Sequence, residues 1–107
     1  MESVVKDALL EWKEEMLAQK IEIDEEYERI KCDLQLYSYK SGITKQVIQS
    51  TINDEIINSI KTTYQIPFVE KYEELKQYIK ELDEKRKVYQ MFVDKIEKVS
   101  ETGENDS

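Results

Sequence analysis

No histidine occurs anywhere in this 107-residue chain. Its absence removes the commonest general base, the nucleophile–imidazole pairs, and nearly every helical zinc or di-iron motif. The single cysteine, Cys32, excludes an intrachain disulfide. It falls among the carboxylates of the first predicted helix, a setting that disfavours a thiolate nucleophile. The only glycines, Gly42 and Gly103, cannot build a phosphate-cradling loop. No apolar run approaches the ~20 residues of a membrane span. The first residues, Met-Glu-Ser-Val-Val-Lys-Asp, lack the basic start and apolar core of a signal peptide. Together these absences predict a non-enzymatic chain with no catalytic residues, no cofactor and no metal, outside the membrane and in the cytoplasm.

What is present favours long helices. Charged residues make up 37% of the chain, and helix breakers are limited to two glycines and Pro67. Twelve isoleucines and fourteen lysines stand against two arginines, a composition associated with an AT-rich genome such as that of a low-GC bacterium, its phage or another mobile element. The strongest pattern lies in the last third. Phe68, Tyr72, Leu75, Ile79, Leu82, Arg86, Tyr89, Val93 and Ile96 alternate at spacings of four and three, and only Arg86 is polar. A 3.5-residue apolar repeat is the seam of a helix that packs lengthwise against another. Arg86 inside it must reach solvent or meet a carboxylate from the facing helix.

Three helices are predicted, over about 3–37, 44–63 and 67–99, within one domain spanning 1–99. The first is capped by Ser3. Val5, Leu9, Trp12, Met16, Ile23, Tyr27, Ile30, Leu34 and Tyr37 form its apolar stripe. Leu10, Leu17 and Ile21 make a second, shorter line, and Lys6, Lys13, Lys20 and Lys31 flank the stripe. Ser41-Gly42 reads as the first break, with Gly42 after the helix and Thr44 capping the next. Tyr64 to Pro67 reads as the second, with Pro67 opening the third helix. Residues 100–107 contain no apolar side chain and are expected to be a disordered acidic tail. The fold class is all-α: a long antiparallel helical hairpin or three-helix bundle with coiled-coil character.

Net charge is -8, which makes nucleic acid and anionic membranes poor partners. The excess lies on the first helix, where Glu11, Glu14, Glu15, Glu22, Glu25, Glu26 and Asp33 gather on one side. The run Glu22, Asp24, Glu25, Glu26, Glu28 sits inside a predicted helix and lacks the turning backbone and glycine of a calcium loop. The ridge is therefore expected to bind a basic protein, while the seam pairs helices within the chain or in a homo-oligomer. Seven tyrosines and Trp12 add contact potential.

One stretch resembles a known motif. Gly42-Ile43-Thr44-Lys45-Gln46-Val47-Ile48-Gln49-Ser50-Thr51-Ile52-Asn53 is similar to the second half of a helix-turn-helix of the lac-repressor type. Gly42, Ile43, Thr44 and Ile48 match the turn glycine, the following apolar residue, the hydroxyl cap and the later apolar position. Ser38 fits the small-residue position of the preceding helix. The resemblance implies a DNA-reading helix that starts at Thr44. Ser41 and Thr51 depart from positions that are usually apolar, and Lys45 is the one base where phosphate anchoring uses several. The functional expectation is thus an adaptor or assembly factor. The alternative is an acidic, phage-encoded inhibitor occupying the basic groove of a nucleic-acid enzyme, and a DNA-binding regulator comes third.

Overall fold

The computed structural model describes residues 2–105, with side chains through Glu101. Among the described residues there is no strand, and every residue except Glu2 and 50–53 is helical. Helix α1 spans Ser3–Gln49, α2 spans Asp54–Ile60, a π-helical segment covers Lys61–Gln65, and α3 runs over Ile66–Asn105. Two long helices, α1 and α3, pack against each other.

The first break comes later than expected. Gly42 lies inside α1, and no described glycine has a positive φ. The seam spacing continues through it, with Tyr37, Ser41, Thr44 and Ile48 all buried or half-buried. Burial along that face outweighs the ~1 kcal/mol propensity penalty of one glycine. Thr44 is not a cap. Its hydroxyl donates to the Lys40 carbonyl at 2.7 Å within the same helix.

The chain turns at 50–53 instead. The amides of Ser50 and Thr51 close the end of α1 on the carbonyls of Val47 and Ile48. Asn53 then caps α2, its side chain accepting from the amides of Glu55 at 2.9 Å and Ile56 at 3.2 Å. Asp54 and Glu55 in the first turn complement the helix dipole.

The second expected break is not a break. Residues 54–105 are helical without interruption. The helix predicted over 44–63 is therefore divided between the end of α1, the turn and α2. The third member of a bundle does not form as expected. Pro67 sits in the second position of α3, directly after the π segment. The Ile66 amide bonds to the Lys61 carbonyl five residues back. Proline has no N–H and crowds the carbonyl of a preceding α-turn, and the wider turn precedes it here. The same segment shifts register. Inward positions run Ile57, Ile60, Gln65, Phe68, while Lys61 is exposed. The step of five inserts one residue, which keeps both isoleucines on the buried side.

The residues fall into two compact units, Met1–Tyr27 with Glu81–Ser107, and Glu28–Lys80. In the first, α1 and α3 run antiparallel: Lys13 reaches Glu97 at 3.1 Å, and further along α1 Tyr27 meets the earlier Arg86 of α3, while Trp12 meets Phe92 edge-on at 5.8 Å. Its core holds Leu82, Val93 and Ile96. In the second, α1 and α3 are again antiparallel. Tyr37 meets Phe68 at 6.0 Å, and the core residues are Ile30 and Leu75. The tail expected from Ser100 differs from the structure: α3 continues to Asn105, and Ser100 is only 3% exposed. Asp106 and Ser107 lie outside the described residues.

Candidate functional site

All nine α3 seam positions sit inward. Leu75, Leu82, Val93 and Ile96 are buried, and Phe68, Tyr72, Ile79, Arg86 and Tyr89 are half-buried. The next step of four adds Ser100, whose hydroxyl has no hydrogen-bond partner among the described residues.

The Arg86 side chain reaches solvent in part, at 32% exposure. Its carboxylate partner is on its own helix: Nε donates to Asp83 Oδ1 at 2.8 Å, and Nη2 lies 2.8 Å from the same oxygen. From the facing helix comes an aromatic ring: the guanidinium lies 3.9 Å from the Tyr27 centroid. A flat cation over a ring face is attracted by its quadrupole. Lys87 binds the other oxygen of Asp83 at 2.9 Å. The hydrogen bonds from Lys87 and Arg86 hold the Asp83 carboxyl below its usual range. Asp83 in turn raises Arg86.

The facing stripe on α1 differs in part from the expected one. Buried and half-buried residues recur at 6, 9, 13, 16, 20, 23, 27, 30, 34, 37, 41, 44, 48 and 51. Lys6, Lys13 and Lys20 occupy seam positions, whereas Val5 and Trp12 are exposed beside it. Lysine stems cover apolar surface while their heads reach outward. Lys13 pairs with Glu97 and Lys20 with Asp24, both at 3.1 Å. A signal for them exists in the seven-residue interval between the lysines. Of the second line, Leu10 and Leu17 are half-buried and Ile21 is exposed.

Ridge residues Glu11, Glu14, Glu15, Glu22 and Glu25 are exposed, and Glu26 and Asp33 are half-buried. At about 100° per residue they occupy an arc of roughly 120° on α1. Asp33 belongs to the second unit and the other six to the first. The five exposed carboxylates enter no ion pair among the described residues. Cys32 is exposed.

An aromatic cluster in the second unit was not foreseen as a unit. Tyr64 stands 6.1 Å from Phe68, and Lys40 Nζ lies 4.8 Å from the Tyr37 ring and 5.4 Å from Phe68. Shallow hollows mark the surface of the described residues. Leu34, Gln35, Ser38, Tyr39 and Tyr72 line one; Lys6, Leu10, Lys13, Glu97, Ser100 and Glu101 line another. Among the described residues no three cysteines or carboxylates converge as a metal-binding group. No described helix is long and apolar enough to cross a membrane. Residues 38–53 do not form a helix-turn-helix, because the turn it requires at Ser41-Gly42 is continuous helix.

No family model, curated protein or solved structure matches this chain.

Proposed function

We infer that this all-helical chain is an adaptor or assembly factor, a non-enzymatic protein that binds a basic protein partner through the acidic ridge of α1. The observation that carries this reading is the state of Glu11, Glu14, Glu15, Glu22 and Glu25. They are exposed, gathered on one side of a paired helix, and without a cation partner among the described residues. Like charges three and four residues apart destabilise a helix by a few tenths of a kcal/mol per pair. A basic partner removes that repulsion and gains long-range steering. Helix pairing through the α3 seam presents the ridge on a firm support.

The test is a triple substitution, Glu22→Gln, Glu25→Gln and Glu26→Gln, in pull-downs at graded salt. The fold should be intact or steadier by circular dichroism, and partner recovery should fall. A variant that unfolds, or that recovers the same partner equally well, overturns the reading. The prey separates the adaptor from the alternative. A structural component favours assembly, and a nucleic-acid-binding enzyme favours an acidic inhibitor in a basic groove.

A further inference from the structure

One flank of the helix pair in the first unit carries a second apolar seam. Trp12 on α1 is 40% exposed and Phe92 on α3 is 39% exposed, although their rings meet at 5.8 Å. Lys13 reaches Glu97 in the same unit, so this stretch of α1 lies opposite the Lys95–Lys98 stretch of α3. Val5, Val88, Met91 and Val99 are also exposed. At about 100° per residue, Val5 and Trp12 lie within about 20° of each other on α1. Val88, Phe92 and Val99 lie within about 40° on α3. Two apolar lines therefore run side by side next to the buried seam.

Charge indicates what covers them. The rims of the flank differ in sign. Exposed Glu11 and Glu15 edge it on α1, and exposed Lys95 and Lys98 edge it on α3. The acids on the α3 side, Glu81 and Glu84, lie beyond Val88 at the far end of the flank. A partner of one charge matches only one rim. A second copy, turned about a twofold axis parallel to the helices, lays its α1 on this α3 and its α3 on this α1. Glu11 then comes to the level of the partner copy's lysine rim, and the reverse holds by symmetry.

We propose that the Trp12–Phe92 flank is a homodimer interface in which each α1 packs on the α3 of the other copy. Glu11 and Glu15 belong both to the ridge and to this rim, so in the dimer a basic partner meets Glu14 and Glu25, which point away from the flank; chain mass and partner recovery read the two separately. The test uses the full chain in size-exclusion chromatography with light scattering. The unmodified protein should run at twice the chain mass. Val88→Lys with Val99→Lys should halve that mass while circular dichroism stays helical. Two charge-reversed chains provide the second arm: Glu11→Lys with Glu15→Lys, and Lys95→Glu with Lys98→Glu. Each alone faces like charge across the axis and should be monomeric, and an equal mixture should recover the dimer. An unmodified chain of single mass, leaving the flank bare or to a different protein, overturns the proposal. So do charge-reversed chains that still dimerise alone or stay monomeric when mixed.

Discussion

Replacing Gly42 by alanine tests the continuity of α1 through the sign of its effect. In a helix interior, glycine is about 0.8–1.0 kcal/mol less favourable than alanine, because it gives up more backbone freedom and shields the backbone less. Gly42 is exposed and helical, and a Cβ added there meets nothing within 4 Å. Neither crowding nor a lost contact offsets the gain. Gly42→Ala should stabilise the chain by about 1 kcal/mol, a rise in Tm of about 4–8 °C for a domain of this size. The opposite holds if the helix ends at Ser41 with Gly42 left-handed. An alanine there costs about 1–2 kcal/mol. Thermal melts followed by circular dichroism, with the unmodified chain at the same protein concentration, read the sign directly. A lower Tm, or a loss of helix signal, would refute the continuous helix and restore a break at Ser41-Gly42.

Leu82, 2% exposed in the α3 seam, should cost about 2–5 kcal/mol as Leu82→Ala in denaturant titrations; an equal loss from Ile52→Ala, at 96% exposure, would contradict the seam. Asn53→Ala removes the acceptor for two amides of α2 and should cost about 0.5–2 kcal/mol, with faster hydrogen exchange at Glu55 and Ile56; unchanged exchange would show the cap to be dispensable. Ser100→Ala deletes a buried hydroxyl that has no partner among the described residues and should raise stability by about 1 kcal/mol, whereas a drop in Tm would reveal a bond made by that hydroxyl. Asp83 titrates below its usual range because Lys87 and Arg86 hydrogen-bond to it. Its stabilising effect is therefore full above the unfolded value of about 3.9 and fades as pH falls below that value through the depressed folded one. The Tm difference between the unmodified chain and Asp83→Asn should vanish in acid, and a constant difference from neutral to acidic pH would disprove the ion-pair account.

Much of the architecture is legible in local periodicity. Phe68 to Ile96 alternate by four and three, and a spacing that matches the helical repeat can bury one face in any helical partner. The burial of Leu75, Leu82, Val93 and Ile96 follows that arithmetic. The acidic side of α1 is readable for the same reason, since azimuth depends only on position along the helix. The helical content rests on scarce breakers and plentiful Glu, Lys and Leu.

What the tertiary structure decided is where local signals yield. Gly42 and Pro67 both read as punctuation. Yet Gly42 costs about 1 kcal/mol, less than what a continuous buried face returns, and Pro67 follows a wider turn that spares its missing N–H. Asn53, less conspicuous than either, caps the helix after the turn because its side chain can satisfy two orphan amides there. Lys6, Lys13 and Lys20 read as flank residues because they are charged. Their stems fill seam positions; the head of Lys13 meets Glu97 of the facing helix and that of Lys20 meets Asp24 of its own. Arg86 is the sharpest instance. Its place in the heptad is a property of the sequence. Its stacking on Tyr27 depends on the antiparallel register of α1 and α3, a distance relation between residues far apart in the chain that no local pattern encodes.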